Sequence, residues 1–168
     1  LYRLQWKQDL IFQISNGLKN SPIPYSSNLK KNYQKVNLTG KYFFQKQIYL
    51  YSLNNNGEPG YDVITPFKTI KEENVLINRG WIKKENKNKL PMISAKTDIV
   101  GMLRTANRKN FFTPKNDIKK NIWFYINLEE IEQFTGTEFN KYIVYLDDKS
   151  IRIPKPKEIT IDLPNNHL

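Results

Sequence analysis

The stretch KVNLTGKY, residues 35–42, shows most directly how this chain folds. Apolar and polar residues alternate along it with a period of two, with Val36, Leu38 and Tyr42 on the apolar side. Successive side chains of an extended strand point to opposite faces of a sheet. The stretch therefore predicts a strand of an antiparallel sheet that has one face on the core and the other in water.

Similar short runs follow along the chain. The segment NNNGEPG (54–60) separates two of them and predicts a hairpin, because Asn and Gly accept the backbone angles of tight turns. In the second strand of this hairpin, Tyr61, Val63, Thr65 and Phe67 share a face. The runs predict strands at residues 35–42, 47–53, 61–67, 74–82, 97–105 and 122–128, a hairpin of 141–146 with 151–153, and a final strand at 158–163.

Two helices are predicted beside these strands. Residues 1–20 carry an apolar stripe with helical spacing that includes Leu4 and Ile11, and we expect this helix to pack along the sheet. Residues 127–136 predict a short helix that has Asn127 as its N-cap, acidic residues in its first turn and a glycine at its end.

The whole chain, residues 1–168, is predicted to form a single soluble domain of the α+β class. Its body, residues 33–163, is expected to be an antiparallel β-barrel-like sheet of roughly six to eight strands. The N-terminal helix of residues 1–20 and the one short helix complete the predicted fold.

The run NVLINRGWI (74–82) places an arginine and a glycine inside an otherwise apolar strand. In an extended strand Arg79 and Trp81 point to the same face, close enough for the guanidinium to stack on the indole. Gly80 between them indicates a bulge or a close approach of another backbone. Two interpretations stay open: a corner of the sheet held by a buried arginine, with Trp81 set into the core, or an exposed anchor for a partner protein.

The net charge of +11 raises the possibility of a nucleic-acid partner. Basic strands interleaved with aromatic residues occur in barrels that bind single-stranded nucleic acid. Here Tyr42, Phe67 and Trp81 fall on the apolar faces of their predicted strands, which favours a role in the core. The charge also fits a solvated surface, so nucleic-acid binding is an alternative and not the expected function.

The residue inventory gives little support to catalysis or metal binding. The chain has no cysteine and a single histidine, His167, which argues against thiolate sites, a Ser-His-Asp triad and multi-histidine metal sites. Pairs of acidic residues at 72–73, 129–130 and 147–148 fall in predicted turns or at a helix start. We therefore predict that the protein is not an enzyme. No window approaches the ~20 apolar residues needed to cross a bilayer.

Seven pieces of sequence occur in a characteristic order: RLQWKQDLI (3–11), KVNLTGKY (35–42), GYDVITPF (60–67), VLINRGWI (75–82), VGMLR (100–104), FTPKND (112–117) with IWFY (122–125), and LPNNHL (163–168). Together they resemble the surfeit locus protein (Surf/Shy) family of cytochrome c oxidase assembly factors. The most specific residues of the resemblance lie in two of the pieces and are Gly60, Tyr61, Thr65, Pro66, Asn78, Arg79, Gly80 and Trp81.

The resemblance implies a place in the cell and a set of partners. Members of that family carry one transmembrane helix before the first of these pieces and another after the last, so we expect flanking helices that are absent from this chain. The expected location is the periplasmic side of a bacterial inner membrane, or the intermembrane-space side of the mitochondrial inner membrane. The expected partners are the catalytic subunit of cytochrome c oxidase and other assembly factors, with no nucleic acid among them.

The resemblance also implies haem a as a possible cofactor. It makes His167 the candidate axial ligand, and neutral imidazole is a common ligand of haem iron. Lys155 and Lys157 are candidate donors to the haem propionates, although they could equally face water or lipid head groups. We expect this chain alone to bind haem weakly or not at all. The alternative within the same family resemblance is a scaffold for oxidase subunits that binds no haem.

Overall fold

The computed structural model of the chain describes residues 2–19, 21–106 and 112–158. Within these residues it contains two α-helices and one sheet of seven strands, which confirms the α+β class. The helices are α1 (Tyr2–Lys19) and α2 (Leu128–Thr135), and the strands are β1 (Ile23–Pro24), β2 (Lys35–Tyr42), β3 (Ile48–Leu53), β4 (Pro59–Thr69), β5 (Asn74–Lys83), β6 (Lys96–Thr105) and β7 (Tyr142–Leu146).

The sheet closes on itself into a ring. Its strand order is β1-β2-β6-β7-β5-β4-β3, and β2 pairs with β4 as well as with β6. The strands β2, β6, β7, β5 and β4 thus form a closed circuit, with β1 and β3 attached to it. Most pairs are antiparallel, as expected, but β5 pairs parallel with β7 and β1 pairs parallel with β2.

The hairpin predicted around residues 54–60 is confirmed. Strands β3 and β4 pair antiparallel, with Ile48 opposite Ile64 and Leu53 opposite Pro59. Gly57 in the connecting turn has a φ of 78°, a left-handed conformation that glycine adopts without steric cost. The turn-rich composition of the connection therefore locates both strands.

The inside of the ring holds one apolar cluster. Its side chains come from every strand of the closed circuit, so they can meet only on the inner face. Val36, Ile77, Leu103 and Val144 are completely buried there. Each such side chain stabilises the fold by about 1.5–3 kcal/mol relative to an exposed position.

A second apolar cluster lies on the outer face of the sheet. There Leu76 and Ile143 pack with Trp123 and with Ile131 of helix α2. Strands β4 and β5 are consequently buried on both faces. This two-sided burial explains why the run from Val75 to Ile77 is continuously apolar rather than alternating.

Helix α2 agrees with the prediction for residues 127–136. The side chain of Asn127 accepts a hydrogen bond from the backbone N–H of Glu130, as an N-cap does. Gly136 ends the helix with a left-handed φ of 77°. Its one fully buried side chain, Ile131, attaches the helix to the outer cluster.

Helix α1 forms as predicted, but most of its apolar stripe does not pack on the sheet. Leu4 is 60% exposed and Trp6 is 57% exposed, whereas Ile14 is buried. Much of the outer face of the sheet is already covered by α2 and Trp123. The expectation that α1 lies along the sheet is therefore wrong over its N-terminal half.

Two predicted strands are also wrong. Residues 122–128 form no regular strand. Trp123 makes one bridge with β3, and Oδ1 of Asn116 then accepts hydrogen bonds from the backbone N–H groups of Phe124 and Tyr125. These bonds turn the chain away from the sheet. Residues 151–153 do not pair with β7, whose neighbours are β5 and β6. The last predicted strand, 158–163, lies almost entirely outside the described residues.

Candidate functional site

The predicted bulge lies at Gly80, where strands β4 and β5 change register. Asp62 faces Trp81 and Ile64 faces Asn78, so two residues of β5 stand opposite one residue of β4. Gly80 has a φ of 125°, which L side chains rarely adopt. This conformation interrupts the strict alternation of β5 at the centre of its most characteristic motif.

The bulge also admits a second backbone. The N–H of Trp81 donates to the carbonyl of Lys155 at 2.8 Å, and the N–H of Lys155 donates to the carbonyl of Trp81 at 3.0 Å. A Cβ at Gly80 would collide with the backbone of Lys155 and Pro156. Gly80 is therefore required for the segment of residues 154–158, called the strap below, to lie on β5.

Arg79 is buried, with only 4% of its surface exposed. Its Nη1 donates to Oε1 of Gln47 at 2.7 Å, and the same oxygen accepts a bond from Oγ1 of Thr65 at 2.6 Å. The guanidinium carbon lies 5.5 Å from the ring centre of Tyr42 and 5.3 Å from that of Phe44. The interpretation of Arg79 as a buried residue at a bulge is supported.

The partners of Arg79 differ from those expected. The guanidinium stacks on Tyr42 and Phe44 rather than on Trp81, because the bulge at Gly80 breaks the alternation that would have placed both side chains on one face. Among the described residues, the guanidinium forms no ion pair with a carboxylate. Burial lowers the pKa of Arg79 from its ordinary value, while Tyr42 and Tyr49 act in the opposite direction.

Trp81 is half-buried and not part of the core, so its expected place in the core is wrong. Its indole Nε1 donates to the carbonyl of Ser52 at 3.0 Å, which connects β5 to β3 across β4. Gly60 lies beneath the indole, and a Cβ there would collide with the ring. The two glycine-containing motifs recognised in the sequence therefore meet at Trp81.

The remaining motif residues of β4 have different surroundings. Thr65 is completely buried and bonds Gln47, whereas the carbonyl of Pro66 accepts a bond from the N–H of Phe43 at 2.9 Å. Tyr61 makes an edge-to-face contact with Tyr49, with Lys87 Nζ 5.3 Å from the Tyr61 ring centre. Only Thr65 belongs to the Arg79 site.

A second polar cluster joins the strap to the sheet on the other face. Asp62 is 3% exposed, and its Oδ2 accepts bonds from Asn78 Nδ2 at 3.1 Å and Lys157 Nζ at 2.9 Å. The Oδ1 of Asn78 accepts a bond from the N–H of Gly80 at 3.0 Å. Asn78 thereby connects the bulge to the strap, a role that the motif alone did not reveal.

Gln47 and Asp62 were missed by sequence reasoning. Each is a polar residue in or beside an apolar strand, and this was the available signal. The bonding partners Arg79 and Lys157 lie far along the chain, so the pairing is visible only in the tertiary structure.

The other predicted site residue, His167, lies outside the described residues. Of the two candidate propionate donors, Lys155 is exposed, whereas Lys157 is bound to Asp62. In the described part of the chain, no group of His, Cys, Asp and Glu side chains could hold a metal ion. No helix in those ranges combines the length and apolar character needed to span a bilayer.

Fold and site together define a class of protein: an α+β domain on a ring of strands, with a buried arginine at a bulge and a strap bound across it. The chain belongs to the SURF1 family, whose family model matches residues 1–168. This confirms the family resemblance drawn from the sequence motifs.

Individual relatives extend this result. The chain is 32% identical over 140 residues to a SURF1-like protein of Rickettsia conorii, across 81% of this chain and 57% of that protein. It is 33% identical over 142 residues to a SURF1-like protein of Rickettsia felis, across 81% and 61%. It is 32% identical over 162 residues to Surfeit locus protein 1 of Gallus gallus, across 82% and 52%. The chain thus spans between half and two thirds of the length of these relatives.

Proposed function

We propose that the protein is a non-catalytic assembly factor for haem–copper cytochrome c oxidase. The main support for the proposal is that the chain belongs to the SURF1 family over residues 1–168. The two most specific motifs of the sequence resemblance, around Gly60 and Arg79, meet in one site at Trp81, which supports it. That site is formed by the close approach of two backbones and by side-chain hydrogen bonds.

The strap suggests how the domain could act. Two contacts hold it: the paired backbone bonds between Trp81 and Lys155, and the ion pair of Lys157 with Asp62. These contacts fix the strap, residues 154–158, against strands β4 and β5. We propose that the domain presents the strap to the oxidase catalytic subunit and to other assembly factors, at the periplasmic or intermembrane-space face of the membrane.

The proposal includes a role in the delivery of haem a to the oxidase. The described residues contain no histidine and no cysteine, so they offer haem iron neither imidazole nor thiolate. Following the family resemblance, the proposal assigns the iron to His167 and gives the described domain a positioning role. Haem a, once bound, supplies redox and ligand-binding chemistry to the oxidase and not to this protein.

The test is complementation in a cell that lacks its own copy of the gene. We expect the full-length protein to restore oxidase activity and the haem a absorption of the membranes. Restoration of both by a Lys157→Met variant, which lacks the ion pair between the strap and Asp62, would contradict the role proposed for the strap. Full oxidase activity in cells lacking the gene would contradict the assembly function itself.

The haem part has its own test. Purified full-length protein should take up haem a, and His167→Ala should abolish the absorption spectrum of the bound haem, while Lys71→Met, at an exposed lysine outside the proposed site, should leave it intact. If wild type and His167→Ala give the same spectrum, His167 is not the ligand. If wild type restores the oxidase but takes up no haem, the protein is a scaffold for subunits.

A further inference from the structure

A cavity of about 260 Å³ lies beside Arg79, where β2 and β7 end and β6 begins. Ile99 and Leu146 of the inner apolar cluster line it, and Ile153 extends this apolar wall. Arg79 and Tyr42 are also part of the lining. A molecule in the cavity would meet an apolar surface continuous with the core and, next to it, a buried cation.

The guanidinium of Arg79 has hydrogen-bonding capacity left over. Nη1 bonds Gln47, whereas Nε and Nη2 bond no residue within the described ranges. No carboxylate of those ranges lies within ion-pair distance of Arg79. A buried charge is costly unless it is paired, so proteins that retain one normally provide a counter-ion. At Arg79 a bound anion can take that place.

The hydroxyl of Tyr42 is a second open group. It forms no hydrogen bond with any residue that the structure describes. Burial raises the pKa of Tyr42 to about 12, with Arg79 lowering it and Asp148 raising it. The hydroxyl therefore keeps its proton at physiological pH and can donate to an anion that also contacts Arg79.

Three acids in the lining of the cavity limit the charge of its ligand. Asp98, Asp147 and Asp148 all line it. Oδ2 of Asp147 lies 3.8 Å from Nζ of Lys35. Oδ1 of Asp148 accepts hydrogen bonds from the backbone N–H and the hydroxyl of Ser150 in a local turn. Their negative charges disfavour an anion that carries several charges, such as a phosphate ester. A single charge directed at Arg79 fits better.

We propose that this cavity binds a monocarboxylate with an apolar body. The carboxylate contacts the free guanidinium nitrogens of Arg79 and the hydroxyl of Tyr42, since the planar fork of arginine matches a carboxylate. The apolar body lies along the wall of the inner cluster. This binding activity goes beyond oxidase assembly and does not depend on it.

Octanoate is a suitable probe, with octanamide as the uncharged control of the same shape. We expect octanoate, titrated into the ¹⁵N-labelled chain, to shift the amide resonances of Ile99, Val100 and Asp148, and octanamide to leave them unchanged. Arg79→Lys keeps the charge but loses the fork, and should weaken octanoate binding about tenfold. Asp148→Asn keeps the turn and removes a repelling charge, and should tighten binding about two- to threefold.

With two variants, the proposal can be tested even if one of them does not fold. If Arg79→Lys does not fold, the tightening by Asp148→Asn still reports an anion in the cavity. Equal binding of octanoate and octanamide would overturn the proposal and leave only an apolar cleft. Shifts confined to other parts of the domain, or an octanoate affinity that Asp148→Asn does not change, would overturn it as well.

Discussion

The ammonium group of Lys157 lies 2.9 Å from Oδ2 of Asp62, a carboxylate buried in strand β4. The other oxygen, Oδ1, has no hydrogen-bond partner among the described residues, so Asp62 depends on Lys157 and Asn78 for its compensation. This pair joins the strap to a strand that lies 95 residues earlier in the chain. It makes the position of the strap a property of the folded sheet.

Removing Lys157 should therefore destabilise the domain. Lys157→Met leaves the Asp62 charge buried with one partner fewer, and we expect the free energy of unfolding to fall by about 1–3 kcal/mol. The expected loss is below that of a fully buried pair, because a third of the Lys157 side chain is exposed and water screens it. Urea unfolding measures the change.

Lys155→Met is the matched control for this prediction. The Lys155 side chain is exposed and only its backbone bonds Trp81, so the same substitution there should change stability by no more than about 0.5 kcal/mol. Equal effects at the two lysines would mean that the contact with Asp62 contributes nothing.

Gly80 should tolerate a side chain much less well than Gly136. Both have a left-handed φ, but a Cβ at Gly80 meets the backbone of Lys155, whereas nothing lies within 4 Å of a Cβ at Gly136. We expect Gly136→Ala to cost about 1 kcal/mol from backbone strain alone. Gly80→Ala should cost about 2–4 kcal/mol, because the strap must also move.

Thermal and urea unfolding of the two alanine variants test this difference. If they lose stability equally, the close approach of the strap contributes nothing. Gly80→Glu should destabilise the whole domain further. An unchanged melting temperature together with lost oxidase assembly would instead assign Gly80 to an interface.

Tyr42 should make the domain less stable at high pH. Its pKa is raised by burial to about 12 in the folded state, against about 10 in the unfolded chain. The folded state then holds a proton that the unfolded state releases, so the stabilisation is complete below pH 10 and is lost between about pH 10 and 12. The shift corresponds to roughly 1–3 kcal/mol.

Tyr42→Phe isolates this contribution, since all other titrating groups stay the same. We expect the stability of the variant, measured by urea unfolding from pH 9 upward, to fall less steeply than that of the wild type. Tyr25 and Tyr145, whose pKa values are also raised mainly by burial, continue to titrate in both proteins. Parallel curves would show that Tyr42 does not titrate as its burial requires.

The positive charge should give only non-specific binding to nucleic acid. Titration of a labelled single-stranded oligonucleotide should yield a Kd of about 10⁻⁴–10⁻⁶ M at physiological salt, as for any cationic surface. The aromatic residues Tyr42 and Phe67 lie in the inner cluster and cannot stack on bases. Nanomolar binding with a steep dependence on salt would contradict the proposed assembly function and favour the alternative, a barrel that binds single-stranded nucleic acid.

Much of the fold was predictable because local patterns determine it. The alternation in residues 35–42 survives as β2, with Val36, Leu38 and Tyr42 buried. The cap at Asn127 and the left-handed glycines at the turns obey rules that span only a few residues. The family, too, follows from local motifs, which need no contact between distant residues.

The two wrong strand predictions share one cause, since contacts with residues far along the chain decide the structure of both segments. Residues 122–128 have the composition of a strand, but packing of Trp123 in the outer cluster stabilises the fold more than continued strand pairing of this segment would. Residues 151–153 lose their expected partner because β7 joins two other strands of the ring. Ring closure is a property of the whole sheet, and no single run of residues carries it.

The sequence by itself determined the α+β class, the strands β2 to β6, helix α2, the bulge at Gly80 and the family, because each depends on residues that are neighbours along the chain. Only the tertiary structure decided where Arg79 and Asp62 find their partners. A bulge changes the face to which the side chains at and after it point, so a contact such as that of Arg79 with Tyr42 depends on strand register and ring closure. Burial then makes these pairings matter, since a charge taken out of water must be compensated by groups that distant parts of the chain bring to it.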